Sequence, residues 1–232
     1  MAKTEELVEI CRRHLLPEAI SAVLPEPYIP YVPKIWNGVL VLGEAQHLGK
    51  RNIDYRKELL AGDERSRFTR LSPKIRVHPW EDFTLPFAVE AALGLVADEC
   101  AVSNAVLWSQ VKENDNNANP SAALVRRAGE FWKEILSAIT PKRVIACGRI
   151  SRSVFGSMAE SPNQRGRFVF PLLPSPRATA SLIPVFPEAR VAAQFPAIAR
   201  KVLERPEWLK KYRADKIAYA CHMAEKAKEA GW

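Results

Sequence analysis

The segment Gly38-Val39-Leu40-Val41-Leu42-Gly43 carries no polar side chain, and this constrains the fold more than any other feature. A strand with one wet face alternates polar and apolar residues. A strand apolar on both faces must be covered on both, the condition of a parallel strand between helical layers. Three more runs read as strands: Ala101-Val102-Ser103-Asn104-Ala105-Val106-Leu107, Arg143-Val144-Ile145-Ala146-Cys147-Gly148 and Phe168-Val169-Phe170-Pro171-Leu172-Leu173. Helical spacing appears over 4–16, with Thr4 as N-cap and Leu7, Ile10, Cys11 and Leu15 on one face, over 86–97, and over 121–139, with Leu124, Phe131, Ile135 and Leu136 inward. A short helix is expected from Ser151, and terminal helices over 187–203 and 206–229. Pro25, Pro27, Pro30 and Pro33 make 25–34 an extended connection, and 109–120 reads as a polar loop. Strands alternating with helices predict an α/β fold: a three-layer α/β/α sandwich around a central four-stranded parallel sheet. One domain is expected over 1–232, with its core at about 36–180 and helical extensions at both ends.

A chain of 232 residues can bury a core without staples. Cys11, Cys100, Cys147 and Cys221 form no Cys-x-x-Cys pair and are expected as thiols, Cys100 and Cys147 in the core. Cys11-x-x-His14 has metal-like spacing, but one such pair is weak evidence for a metal site. No apolar run reaches the roughly 18 residues of a membrane span, and the polar start Met1-Ala2-Lys3-Thr4-Glu5-Glu6 does not open a signal peptide, so a cytoplasmic protein is expected. The net charge of +8 suits a polyanionic partner. Residues 48–80 crowd Lys and Arg against fewer acids, which reads either as a solvated loop and helix or as a loop that meets phosphates.

In such sheets ligands bind beyond the carboxyl ends of the strands. That rule selects Glu44, Gln46 and His47 after the first strand, Asn104 and the Asp115/Asn117 loop with the second, and Ser175 and Arg177 after the fourth. An amide can donate and accept at once, which suits base recognition. A Ser in a Pro-Ser-Pro turn can contact a phosphate with hydroxyl and backbone. Each has an ordinary reading as well: Glu44 as a surface residue, His47 as a structural or exposed one, Phe87 as plain core. Asn104 is harder to dismiss, because an amide inside an apolar strand needs partners.

These segments, in this order, resemble the uracil-DNA glycosylase superfamily. Gly43-Glu44-Ala45 is similar to the start of the GEAPG motif of its iron–sulfur bacterial and archaeal branch. Ser103-Asn104-Ala105-Val106, followed by Asn117-x-x-Pro120, resembles that branch's TNVV and NRxP segment. Lys142 to Gly148 resembles PKVIVALG, and Leu173-Pro174-Ser175-Pro176-Arg177 resembles the HPS and HPSPR motif. The resemblance spans roughly 36–180. It departs at Gln46-His47, where the motif has Pro-Gly, at Ala118, where it has Arg, and at Leu173, where it has the His that stabilises the leaving base. The four cluster cysteines of the branch fall at Cys11, His14, Trp108 and near Ala128, so no iron–sulfur cluster is expected, nor any metal or organic cofactor.

The resemblance implies a monofunctional DNA glycosylase of base excision repair. It would flip uracil, or another deaminated base, out of the stack and hydrolyse its N-glycosidic bond. Glu44 would stabilise the oxocarbenium-like sugar or orient water, and His47 would stabilise the leaving base. Gly43, Ala45, Gln46, Phe87 and Asn104 would hold the base, Phe87 by stacking and Asn104 by reading its edge. Ser175, Pro176, Arg177 and Asn117 would contact DNA. The implied partner is uracil-containing DNA, single- or double-stranded, met by a monomer with no membrane association. Leu173 keeps a second reading open, a weakly active or non-catalytic DNA-binding member of the same fold. A third is a nucleoside or nucleotide N-glycosidase.

Overall fold

The computed structural model describes residues 2–17, 23–48, 61–63, 68–69, 82–111 and 120–232. Helix α1 (Ala2–Arg13) leads to β1 (Val23–Pro27) and β2 (Val39–Leu48). Then come α2 (Thr84–Leu93), β3 (Ala101–Val111), α3 (Ala122–Ile139), β4 (Arg143–Ala146), α4 (Gly148–Ala159) and β5 (Phe168–Val169). The chain ends in α5 (Pro176–Leu182), α6 (Glu188–Gln194), α7 (Pro196–Glu204) and α8 (Arg213–Glu229).

The sheet order is β1-β3-β2-β4-β5. Strands β3, β2, β4 and β5 run parallel, while β1 is antiparallel to β3. The sheet is therefore mixed and five-stranded rather than a purely parallel sheet of four. The extra strand, Val23–Pro27, runs into the proline-rich stretch 25–34, expected to be an extended connection and not an element. Proline has no N–H for a ladder, so it is tolerated at a sheet edge, and β1 is an edge strand with Pro27 opposite Trp108. Tyr31 adds an isolated bridge to Val102.

Two apolar cores lie on opposite faces of the sheet. Leu40 and Leu42 of β2 pack with Leu7 and Cys11 of α1, Phe131 and Ile135 of α3, and Val154 and Phe155 of α4. Val39 and Val41 pack with Leu85 and Phe87 of α2 and with residues of α5 to α8, among them Val202, Tyr219 and Met223. The alternation along one apolar strand thus feeds two helical layers, giving the α/β/α arrangement. Helix α3 follows from its own sequence: Ser121 caps it by accepting from Leu124 N at 3.2 Å, and Trp132 donates to Ala105 O at 2.8 Å across the core.

Several boundaries differ from the sequence reading. Helix α1 starts at Ala2, ahead of Thr4, and α4 starts at Gly148 rather than Ser151. Strand β5 stops at Val169, because Pro171 cannot extend a ladder and the chain turns away. The helix expected over 187–203 breaks at Phe195-Pro196 into α6 and α7, and 206–229 divides into a 3₁₀ turn, Pro206–Leu209, and α8. Helix α5 lies where the sequence reading had only a turn. The C-terminal helices complete the second layer, so they are integral to it and not extensions.

Candidate functional site

Among the parallel strands, β2 is flanked by β3 on one side and β4 on the other, so the strand order reverses at β2. Open α/β sheets bind ligands at such a switch point. Pairing of β2 with β4 ends at Leu42 opposite Ala146, and Cys147 N still reaches Leu42 O at 2.9 Å. Pairing with β3 runs on through Gly43 opposite Asn104 to Leu48 opposite Val111. Glu44, Gln46 and His47 were expected just after the strand; they belong to it. The sheet opens beside them because β4 gives way to α4.

The first turn of α4 fills that opening. Ile150 N donates to Glu44 Oε1 at 3.0 Å, and Ser151 Oγ donates to Gly43 O at 3.1 Å. The carboxylate therefore sits on the positive end of a helix dipole. Gly148 makes the approach possible. It has φ +90°, and a Cβ there would stand 2.2 Å from Glu44 Oε1. Ser151, fully buried, is a site residue that sequence reasoning missed.

Asn104 is buried on β3, directly beside Gly43, and donates through Nδ2 to Tyr28 Oη at 2.7 Å. Tyr28 was also missed; it lies just beyond the proline-containing strand β1. The bond spends one position of the amide on fixing the side chain. Ala45 of β2 lies opposite Val106, half-buried against the first core. Gln46 and His47 continue the strand, and their side chains fall outside the described set, as does Asn117 as a whole.

The other wall is the Leu172–Arg177 turn after β5. Ser175 is the N-cap of α5: its Oγ accepts from Ala178 N at 3.3 Å, and Pro176 opens the helix. Arg177 is exposed on the first turn. Leu173, standing where the motif has His, is half-buried against the second core. Helix α8 holds this turn from behind. Tyr219 Oη donates to Leu172 O at 2.8 Å, and Leu172 N donates to His222 Nε2 at 3.1 Å. An amide N can only donate, so this ring nitrogen is unprotonated and the imidazole is neutral. Burial, reinforced by Lys226 and partly opposed by Glu229, lowers the His222 pKa to about 4. Burial pushes the Cys147 thiol up to about 12, so it is no thiolate nucleophile at neutral pH.

Phe87 is fully buried in α2 within the second core, so its ring offers no open face for a base. Its burial by both helix and sheet explains the difference: the Leu-Pro-Phe context gives no signal of which face the ring takes. Cys11 and Trp108 are buried in the first core, and His14 Nε2 pairs with Glu134 Oε1 at 2.6 Å. The Cys11/His14 pair is thus engaged in packing and in a hydrogen bond to Glu134. No group of metal-ligating side chains gathers among the described residues, and no helix among them is long and apolar enough to cross a membrane. The chain matches no family model and no curated protein.

Proposed function

We propose that the protein is a monofunctional DNA glycosylase that hydrolyses the N-glycosidic bond of uracil, or another deaminated base, in DNA. The observation that carries this reading is the pairing of Gly43 with Asn104 at the switch point, with Glu44 next in β2. A held amide and a carboxylate thereby stand on neighbouring strands at the edge where α/β sheets take their ligands. The base, flipped out of the stack, enters beside β2 and β3, where the Asn104 amide reads its edge. Glu44 stabilises the positive sugar or orients water, which attacks C1′ as the bond to the base breaks. The base leaves as an anion and is protonated, giving free base and an abasic site. Leu173 provides no donor for that anion, so His47 or Arg177 takes the role. Ser175 and Arg177 meet flanking phosphates, and the enzyme works as a cytoplasmic monomer without a cofactor.

Two observations favour a non-catalytic DNA-binding reading: Glu44 Oε1 is already engaged by Ile150 N, and Leu173 packs against the second core. The nucleotide reading is weaker, because Glu44 occupies the helix N-terminus where a small ligand's phosphate would sit. Uracil-containing oligonucleotides, treated with alkali after incubation, separate these readings when run beside deoxyuridine. The enzyme reading expects strand breaks from the oligonucleotide and no turnover of deoxyuridine. Glu44→Gln keeps the acceptor for Ile150 N and should lower the rate by about 100- to 1,000-fold while preserving DNA binding. A fully active Glu44→Gln variant removes the carboxylate from the mechanism. A wild type that binds DNA but leaves it intact establishes the second reading.

A further inference from the structure

Three non-glycine residues among those described have positive φ: Phe83 (62°), Thr140 (49°) and Tyr212 (55°). L-residues avoid this region, and bulky ones most of all. Thr140 closes α3, where a left-handed residue is usual. Phe83 and Tyr212 have no such excuse. Each immediately precedes a helix, α2 and α8 respectively, without a side-chain cap, and each residue is exposed, 44% and 63%.

The two rings lie on one surface. Phe83 stacks on Trp208 at 5.6 Å with an interplanar angle of 18°, and Arg205 covers the Trp208 ring at 4.7 Å. Lys216, one turn into α8, donates to Trp208 O at 2.8 Å and feels the charge of Asp82. The N-termini of α2 and α8 therefore stand side by side. Asp215 of α8 accepts from Thr179 Oγ1 of α5 at 3.1 Å, which joins this surface to the Ser175–Arg177 turn. Helix α8 then runs down the layer to Trp232, which donates to Gly166 O at 2.7 Å and lies under Arg143 at the strand starts. Phe83 and Tyr212 thus belong to the same edge as the candidate site. Lys210, Lys211 and Arg213 flank Tyr212, all exposed, and none has a carboxylate partner among the described residues; the same holds for Arg177.

We infer that Phe83, Tyr212 and the cations around them form a platform for a single-stranded stretch of DNA beside the site. Exposed rings offer stacking faces to successive bases, and unpaired cations track the phosphates. Charge complementarity selects a polyanion, and the exposed aromatic rings select unstacked bases over a closed duplex, whose base faces are hidden. The strained backbone holds the rings outward in place of the glycine that each position would prefer. The inference takes DNA as the polymer from the functional reading above and otherwise stands on this surface.

The test is anisotropy of a labelled oligothymidylate of about 15 nucleotides, free of uracil, titrated with the full chain. Tyr212→Gly removes the ring and relieves the backbone. It should weaken binding about ten-fold while leaving the thermal midpoint unchanged or higher, a combination that a merely structural tyrosine would not give. Lys210→Ser with Lys211→Ser should lower the slope of log affinity against log salt by about 1.4. Blunt duplex of equal length should bind more weakly than the single strand. Wild-type affinity in Tyr212→Gly, preference for the duplex, or displacement by polyglutamate as effective as by oligothymidylate would each overturn the platform. Uracil release is assayed in parallel. Loss of the platform leaves the release reaction standing, and absence of release leaves the oligothymidylate result standing, so the two failures are distinct.

Discussion

At the end of β2 the wall of the candidate site is held by the turn of the neighbouring βα unit, whereas at the end of β5 it is held by a helix from the far end of the chain. The first contact, Ile150 N on Glu44 Oε1, follows from the topology: β4 lies beside β2, and the helix after β4 starts where β2 continues. The second, Tyr219 and His222 of α8 on the two sides of the Leu172 peptide, follows from nothing in the βα repeat. One wall is closed by a carboxylate against a helix dipole and the other by a neutral imidazole. They should therefore fail under different conditions.

The largest difference is expected with acid. The His222 pKa falls from 6.5 to about 4 on folding, so between those values the unfolded chain binds the proton and the folded one does not. The stabilisation is complete above pH 6.5 and is lost as pH falls towards 4, roughly 3 kcal/mol in all. His222→Gln keeps an acceptor for Leu172 N without titrating. Denaturant titrations of both proteins at pH 7.5 and 4.5 should show a smaller loss in the variant, and equal losses would mean that the second wall is not held by a neutral imidazole.

The first wall breaks next. Gly148→Ala puts a Cβ at φ +90° and on the Glu44 carboxylate. The backbone alone should cost about 1–2 kcal/mol, and Glu44 must leave Ile150 N. Stability by chemical denaturation and uracil release should both fall. A variant that loses stability but keeps its rate would show that the position of Glu44 does not matter to the chemistry.

The smallest effect sharpens the role of Ser175. Ser175→Ala removes the cap of α5 and should cost about 1 kcal/mol, while Ser175→Asp should keep the cap and repel a phosphate. If Ser175 serves only as a cap, the Asp variant binds oligonucleotide as the wild type does. If it also meets a phosphate, affinity falls while the thermal midpoint holds.

The parts legible in the sequence were those with a local cause. The apolar run Val39–Leu42 implied a strand covered twice, helical spacing over 121–139 marked α3, and an amide in an apolar strand called for a partner. Asn104 has one, but Tyr28 could not be named, because only the sheet register and the edge strand bring residue 28 beside residue 104. Phe87 failed as a stacking ring for the same reason, since a Pro-Phe pair opening a helix does not say which side faces the sheet. Strand β1 was missed because prolines are a poor sign of a strand unless an edge is available. Ser151 and His222 carried no local signal, and their roles depend on partners that stand 108 and 50 residues away in the chain.

Periodicity and unbroken apolar runs determined the parallel strands, the longer helices and the layered α/β class, because they express the local geometry of a strand or helix and the cost of leaving apolar surface wet. They also placed Glu44 and Asn104 at the sheet's edge. Tertiary structure alone decided that Glu44 lies against a helix N-terminus, that α8 holds the Leu172 peptide, and that Phe83 and Tyr212 share one exposed surface. Each of these depends on distance in space between segments remote in the chain. A hydrogen bond or a ring contact acts over a few ångströms, and only the packed fold sets which groups come that close.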